Sequence, residues 1–394
     1  MKEGWKYMKL GEIVVFDKRF KGVPKEQQKQ IVSFKHVSAE TLKGLLVDNG
    51  DVKLLATGLF TGYTTQELAG NNLNSGEVIS FPTGGNANIK YHKGNFVDSG
   101  NILCVAKDDS IYLKYVHFGL LYQNDYIESC YKGTGIHHPF MPDIWDVKVP
   151  IPDISTQYSI VARLDAEFAK IEALKANAEK QLQAAKDLFQ AALDSFFCIK
   201  YNKPLEMLVN IINGFAFKSE DFKKEAELKV IKITNVGVGN FIEDDSRINK
   251  IYGNLDIAKV YKNDIVVALT RTIIAGGLKV AIVPLSYNEA LLNQRVACLR
   301  ENGTSSIRYI YYYLSSNSAI KYVQNKVNTL MQPNLSIVDL KAMPIPYLEM
   351  DKQNNIADHL DTLSAKIKQL EKNCNETITL CNDLKQSLLK KIFE

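Results

Sequence analysis

The sequence predicts an α+β protein in which two similar α/β domains are separated by long helices that pair as an antiparallel two-helix coiled coil. The first observation is a stretch without Pro or Gly, from Ser155 to Phe197, in which apolar or small residues recur at every seventh position. The second is the return of this pattern 196 residues later, ending at Phe393. The third is that short apolar runs, divided by Gly, Asn and Asp, precede each stretch.

The seven-residue recurrence predicts which side chains form the seam of the coiled coil. In the first helix the predicted seam residues are Leu164, Ile171, Leu174, Ala178, Ala185 and Leu188. In the second helix they are Leu360, Ile367, Leu370, Cys374, Cys381 and Leu384. Each set combines one row at intervals of seven with a second row three residues further on. Because such a helix is about 60 Å long, its seam requires a partner helix.

The constant offset indicates a tandem duplication, which organises the chain into four segments. We predict a first domain at 1–150, a long helix at 151–200, a second domain at 201–346 and a second long helix at 347–394. Only about seven residues join the first helix to the second domain, so the second helix must run back along the first. The prediction is an antiparallel helix pair with one domain at each end and an internal pseudo-twofold axis.

The composition sets broad limits on the class of protein. A chain of 394 residues with 46% hydrophobic and 23% charged residues is typical of a soluble globular protein. The N-terminal residues lack the apolar core of a signal peptide, and no run is apolar enough to predict a membrane span. The six cysteines form no CxxC pair, so we expect free thiols, no metal site and a cytoplasmic location. The net charge of +4 falls on the domains, which is compatible with nucleic acid binding there.

The predicted loops of both domains are rich in side chains of the kinds that contact bases and phosphates. The candidate DNA-binding residues of the first domain are Thr83, Asn86, Asn88, Lys90, Tyr91, Lys93 and His137. Those of the second domain are Phe217, Lys218, Ser219, Asn235, Arg271, Lys279, Gln294 and Arg295. Several of these residue types are also ordinary turn formers, so the prediction depends on the clusters rather than on single residues. Both domains end with a proline-containing segment, at 133–139 and 327–333, which extends the duplication to the domains.

No catalytic motif in the sequence is specific enough to predict an enzyme. The chain contains no GxxxxGK[ST] phosphate loop and no adjacent prolines, which excludes the Asn/Asp-Pro-Pro-Tyr/Phe loop of amino-methyltransferases. Asp143 and Asp146 resemble part of a nuclease PD…DxK pattern, but only two residues separate them. His137 and His138 are adjacent and would point to opposite faces of a strand, which does not favour a shared metal ion.

The order of these features is similar to that of one family, the specificity (S) subunits of type I restriction–modification systems. The entries to the two helices carry the resemblance; they read VPIPDISTQYSIVARL and MPIPYLEMDKQNNIADHL. Three shorter runs in the second domain add to it: NGFAFKS from Asn213, VIKITN from Val230 and LNQRV from Leu292. The resemblance covers essentially the full chain.

The resemblance implies a subunit that reads DNA and has no catalytic activity of its own. Each domain would be a target recognition domain that reads one half of a split, asymmetric site in double-stranded DNA. The coiled coil would set the spacing of the halves and bind two methyltransferase (M) subunits, with restriction (R) subunits as further partners. S-adenosylmethionine, ATP and Mg²⁺ would be bound by those partners, and this chain would hold no cofactor.

Two other classes of protein remain open from the residues alone. One is a coiled-coil scaffold with two protein-interaction domains, which would show no salt-dependent affinity for DNA. The other is an enzyme whose active site is too dispersed along the sequence to recognise, which would methylate DNA without partner subunits.

Overall fold

The computed structural model describes residues 5–20, 31–223, 225–249, 255–275, 277–326 and 334–394. The proline-containing segment at 327–333 lies outside the described residues. The chain divides into two compact units, Met1–Asn177 with Glu376–Glu394, and Ala178–Asn375. Each unit therefore contains one globular domain and part of each of two long helices.

The first domain is built on a six-stranded mixed sheet, with two further pairs of strands. The strands of the domain are β1 (Lys6–Lys9), β2 (Val14–Phe16), β3 (Val52–Leu55), β4 (Thr61–Thr64), β5 (Asn74–Phe81), β6 (Lys90–Asp98), β7 (Ile102–Ala106), β8 (Tyr131–Lys132), β9 (His138–Pro139) and β10 (Lys148–Ile151). Its helices are α1 (Leu10–Ile13), α2 (Ala39–Gly44), α3 (Gln66–Ala69), α4 (Leu113–Tyr122), α5 (Asn124–Ser129) and α6 (Met141–Trp145), followed by the long α7 (Ile154–Phe196). The sheet order is β2-β7-β5-β6-β3-β4, in which only the β3–β6 pair is parallel.

Strand β5 shows why this sheet is buried on both faces. Ile79 and Phe81 belong to the core that α4 and the long helices cover. Val78 points to the other face, where it packs with Phe96. Because successive side chains of a strand alternate between faces, Val78 and Ile79 supply core residues to opposite sides of the sheet.

The second domain has a four-stranded sheet of order β12-β20-β15-β18 and a three-stranded sheet of order β14-β13-β19. Its strands are β11 (Asn202–Pro204), β12 (Val209–Asn213), β13 (Leu228–Ile231), β14 (Arg247–Ile248), β15 (Ile265–Ala268), β16 (Ile273–Ile274), β17 (Gly277–Leu278), β18 (Val280–Ile282), β19 (Leu291–Leu292), β20 (Val296–Glu301) and β21 (Pro344–Pro346). Its helices are α8 (Ile307–Leu314), α9 (Asn317–Lys326) and α10 (Ile337–Lys341), followed by the long α11 (Met350–Phe393). Strand β15 is buried at every residue, as its unbroken apolar sequence predicts.

Equivalent contacts attach the two domains to the helices. In the first unit the ring of Phe393 lies 5.3 Å from that of Tyr115, whose hydroxyl donates to a proline carbonyl at 2.7 Å. In the second unit the ring of Phe197 lies 5.1 Å from that of Tyr309, whose hydroxyl donates to a proline carbonyl at 2.9 Å. The end of α11 thus packs into the first domain as the end of α7 packs into the second.

Ion pairs between each domain and its nearby helix repeat in the same way. Lys114 of α4 lies 2.6 Å from Asp165 of α7, and Arg308 of α8 lies 2.5 Å from Asp361 of α11. Both pairs are partly exposed, so each contributes little to the free energy of unfolding. The two equivalent ion pairs show that the duplication extends to individual contacts.

The long helices bury residues alternately four and three positions apart, the pattern of a left-handed helix pair. The buried or half-buried residues of α7 along this stripe are Gln157, Val161, Leu164, Phe168, Ile171, Lys175, Ala178, Leu182, Ala185 and Phe189. Those of α11 are Gln353, Ala357, Leu360, Ser364, Ile367, Glu371, Cys374, Ile378, Cys381 and Lys385. Every member of the second set stands 196 residues after its counterpart in the first, so the stripe repeats over its whole length.

The second row of the predicted seam is wrong at three of its four residues. Leu174, Leu188 and Leu384 are exposed, whereas Leu370 is half-buried, as Ile367 of the first row is. The row that faces inward lies four residues after the first row rather than three. Positions three and four residues along both share a helix face, and the leucines at the nearer position favoured the wrong choice.

Polar residues occupy part of the true second row, which is why its hydrophobic pattern is hidden. Lys385 forms an ion pair with Glu172, and its ammonium lies 5.4 Å from the centre of the Phe168 ring. The long side chain covers apolar surface with its methylene groups while its charge is paired at the edge.

Candidate nucleic-acid interface

Hydrogen bonds join three loops of the first domain. The Gly85 amide donates to the His137 carbonyl at 2.8 Å, and the ring Nδ1 of His138 lies 2.7 Å from the Thr83 carbonyl. The Asn88 side chain donates to a carbonyl in the loop after β3 at 3.0 Å. We call the joined surface the first loop face; it consists of residues 56–60, 83–89 and 133–138.

Some predicted DNA-binding residues of the first domain are accessible. Asn86 and His137 are exposed on the first loop face, and Lys93 is exposed on β6. The Lys93 ammonium lies 3.4 Å from the Glu77 carboxylate, which also accepts a hydrogen bond of 2.8 Å from the Tyr91 hydroxyl. Burial and the bond to this carboxylate raise the pKa of Tyr91, so the phenol stays protonated and half-buried.

The prediction that Lys90 contacts DNA is corrected by its geometry. Its ammonium donates to the carbonyls of Ala56 and Gly58, each at 2.6 Å, and burial lowers its pKa. The half-buried side chains of Asn88 and Thr83 also donate to backbone carbonyls, at 3.0 and 2.9 Å. These three residues use the donors that the sequence predicts for DNA contact to hold loops in place instead.

A buried histidine between two carboxylates lies near these loops and was not found from the sequence. His36 Nδ1 lies 2.7 Å from Asp98 Oδ2, and His36 Nε2 lies 3.3 Å from Asp17 Oδ2. Burial opposes protonation of the imidazole, but the two neighbouring carboxylates outweigh it and raise the pKa of His36. The three residues are far apart in sequence and follow no local pattern, so only the fold shows the cluster.

The second domain brings together the motif segments that lie far apart in its sequence. The Phe215 amide donates to the Leu292 carbonyl at 2.7 Å, and the Gln294 amide donates to the Phe215 carbonyl at 2.9 Å. The Asn293 amide donates to the Ile231 carbonyl at 2.9 Å. We call the surface formed there the second loop face; it consists of residues 215–219, 232–234 and 293–295.

A cavity of about 280 Å³ opens on the second loop face. Four predicted DNA-binding residues line it: Phe217, Ser219, Gln294 and Arg295. The half-buried Phe217 ring is nearly perpendicular to that of Phe222, with the ring centres 6.3 Å apart, and it forms an apolar wall. The other three residues are exposed. Lys218 is exposed beside them, 3.7 Å from Glu220. An aromatic wall with amide and guanidinium groups at the rim suits contact with a base.

Arg271 follows β15 and has a strained backbone. Its φ is +48°, a left-handed conformation that residues with a Cβ seldom adopt, and its side chain is exposed. Such strain is frequent at functional positions, which is consistent with the predicted role of Arg271.

Two predicted contacts of the second domain are wrong because both side chains are buried and satisfied. Asn235 accepts a hydrogen bond from the Lys232 amide at 2.7 Å and donates to the Ile242 carbonyl at 2.8 Å. The Lys279 ammonium donates to the Ile233 carbonyl at 2.5 Å, and burial, followed by the charge of Arg271, lowers its pKa. Both stabilise the loop after β13 from within the protein.

Gly214 allows the motif segments of the second loop face to approach. A Cβ at this position would lie 2.1 Å from the Asn293 carbonyl oxygen, so backbone atoms would have to separate. We expect Gly214→Ala to destabilise the second domain by roughly 1–3 kcal/mol, the usual cost of overpacking. Hydrogen exchange of residues 292–296 in the full chain would measure the change.

Gly135→Ala is the matched control for that substitution, because an added Cβ there meets nothing within 4 Å. The close approach of the two segments would be contradicted if residues 292–296 exchanged at equal rates in the Gly214 variant, the control and the wild type.

Within the described ranges, no three His, Cys, Asp or Glu side chains are grouped so that they could hold a metal ion. None of the helices described there combines the length and apolar character needed to cross a membrane.

Comparison with known proteins assigns the family. The model of the type I restriction modification DNA specificity domain matches the chain twice, at residues 2–184 and 202–380. The chain belongs to this family. The resemblance predicted from the sequence is therefore confirmed, as is the fold class of two similar domains with a long helix between them.

Relatives of the specificity family extend over most of this chain. It is 25% identical to the type I restriction enzyme MjaVIII specificity subunit of Methanocaldococcus jannaschii, over 94% of this chain and 89% of the relative. It is 24% identical to the EcoBI specificity subunit of Escherichia coli, over 66% of this chain and 60% of the relative. A solved chain from a type I R-M system has the same fold, with a TM-score of 0.68, 15% identity and coverage of 100% of this chain and 98% of that one. The relatives are named specificity subunits, in agreement with the prediction of a specificity subunit rather than an enzyme.

Proposed function

We propose that the two domains each read one half of a split, asymmetric sequence in double-stranded DNA, as part of a type I restriction–modification complex. The observation that carries this proposal is the presence of two copies of the DNA specificity domain with different loop faces. After equivalent strands, β5 continues into Thr83 and Gly84, whereas β15 continues into Thr270 and the strained Arg271. A shared framework with different loop chemistry supports readout of two different half-sites.

Direct readout would come from the accessible residues of each loop face. In the first domain these are Asn86 and His137, with Lys93 close by; in the second they are Lys218, Ser219, Arg271, Gln294 and Arg295. Arginine can make a bidentate contact with guanine and glutamine one with adenine, each worth about 1–3 kcal/mol of discrimination. Lys90, Asn235 and Lys279 would contribute by holding the loops that carry the reading residues.

The chemical steps would be carried out by partner subunits. Two methyltransferase subunits would dock on the long helices and adjacent domain surfaces, and restriction subunits would complete a complex that cleaves DNA. S-adenosylmethionine, ATP and Mg²⁺ would be bound by those partners, in the cytoplasm where the host DNA is found. The exposed leucines at 174, 188 and 384 leave apolar surface on the helices for such docking.

Methylation mapping tests the proposed function. Cells that produce this chain with its M subunits should acquire adenine methylation at one bipartite sequence with a fixed gap. The purified chain with S-adenosylmethionine should transfer no methyl group, because the methyltransferase is a separate subunit. Methyl transfer by the chain alone, or the absence of any bipartite sequence with the complete complex, would contradict the proposal.

A further inference from the structure

In both domains a lysine whose ammonium binds backbone carbonyls holds a loop that follows a core strand. The Lys90 ammonium, at the start of β6, binds the carbonyls of Ala56 and Gly58 after β3. The Lys279 ammonium, just before β18, binds the carbonyl of Ile233 after β13. Strands β6 and β18 pair with β5 and β15, respectively, so the two lysines enter their sheets at corresponding places.

Partial removal of the two ammonium groups from water costs free energy, which contacts in the folded protein must offset. Removing an ammonium group from water is unfavourable, and burial is the main cause of the lowered pKa of both Lys90 and Lys279. The carbonyls recover part of that cost only when the loops adopt these positions. Each loop is therefore held in one conformation before any ligand binds, which reduces the entropy lost on binding.

The held loop of the first domain presents one apolar side chain. Leu59 lies at its tip and is 91% exposed, the largest value among the exposed large hydrophobic residues that the structure describes. The carbonyl of Gly58, immediately before it, accepts hydrogen bonds from both Lys90 and Asn88. On the adjacent strands, Lys53 lies 4.4 Å from the centre of the exposed Tyr63 ring. An apolar tip near a lysine side chain suits a duplex, whose backbone is negative and whose grooves expose apolar groups.

We propose that residues 56–60 form a preformed reading loop in which Leu59 contacts a thymine methyl group and Lys90 is the positioning residue. The thymine methyl is the apolar group that base pairs present in the major groove, so it is the natural partner of an exposed leucine. This inference rests on the proposed function of the chain as a DNA reader. The exposed Thr234 has the corresponding place on the held loop of the second domain.

Thymine-to-uracil replacement tests the contact directly. The assembled complex with M subunits is bound to duplexes in which each thymine of the half-site read by the first domain is replaced in turn. One replacement should weaken binding of the wild type by about fourfold, the effect of one buried methyl group. The same replacement should have no effect on Leu59→Ala.

The matched control is Leu68→Ala, which shortens another exposed leucine of the same domain. It should keep the uracil effect. Equal uracil effects in the wild type and Leu59→Ala would overturn the inference. An equal loss of affinity for all sequences in Leu59→Ala would also overturn it, because Leu59 would then insert between base pairs without distinguishing them. A wild-type complex with no bipartite preference would instead contradict the proposed function, so the two failures are distinguishable.

The salt dependence of binding separates positioning by Lys90 from a phosphate contact. Lys90→Met should abolish the uracil effect yet leave the slope of log affinity against log salt unchanged, because the ammonium is bound to carbonyls. Removal of a lysine that contacts phosphate would reduce the magnitude of that slope by about one, and we expect this result for Lys93→Met. A reduced slope for Lys90→Met would overturn its positioning role, and unchanged recognition of the second half-site would show that the variant complex is assembled.

Discussion

Exchange of residues 205–344 for the equivalent domain of another specificity subunit is expected to change one half of the methylated sequence completely and to leave the other half unchanged. Both junctions lie on the β11–β21 ribbon, where Pro204 pairs with Pro344, so the graft replaces a whole folded domain. The first domain has its own core and its own loop face, and it should continue to read its half-site. Methylation-site sequencing of cells with the chimera and its M subunits measures both halves.

The donor domain should carry tyrosines at the positions of Tyr309 and Tyr313, because their rings pack against Phe197 at the end of α7. The reciprocal control replaces residues 10–147, between the paired strands β1 and β10, and should change only the opposite half. If either exchange altered both halves, the domains would not read DNA independently.

Insertion of four residues into each long helix is expected to widen the unspecified gap between the half-sites by one to two base pairs. The insertion points are Asn177/Ala178 and Asn375/Glu376, where both helices pass from one unit to the other. Four residues add about 6 Å to a helix, compared with about 3.4 Å for each base-pair step. Both half-sites should keep their sequences, because neither loop face is altered.

The single insertions are the controls for the paired variant. Four residues in one helix alone displace its buried stripe relative to its partner and should weaken assembly rather than widen the gap. Methylation mapping and the amount of assembled complex distinguish the outcomes. A paired variant with an unchanged gap would show that the helices do not set the spacing between the half-sites.

The long helices show how far a sequence pattern can specify packing. The recurrence of seven and the offset of 196 predicted two helices and the row from Leu164 to Ala185, all of which the structure buries. The second row could not be predicted, because leucines three residues along competed with Phe168, Lys175, Leu182 and Phe189 four residues along. A lysine on the buried stripe is acceptable only when its methylene groups have a surface to cover, and that surface is formed by the partner helix.

The loop residues show a different limit. Asn, Lys and Thr in loops have the donors that DNA requires, but the same donors also satisfy backbone carbonyls. The type and place of Lys90 and Lys279 in the sequence predict DNA contacts, whereas the fold directs their charges to backbone carbonyls. Conversely, Leu59 has no polar group that would predict a DNA contact from the sequence. Its proposed contact depends on the neighbouring carbonyls that Lys90 binds.

The sequence by itself determined the duplication, the two long helices, the family and the segments that form the loop faces. These features depend on periodicity and on local runs, which are properties of neighbouring residues. Only the tertiary structure decided which donors are free, which row of each helix faces inward, and that His36 lies between Asp17 and Asp98. Those outcomes depend on contacts between residues distant in sequence, where a carbonyl, a carboxylate or an apolar surface determines whether a side chain is buried or left to bind DNA.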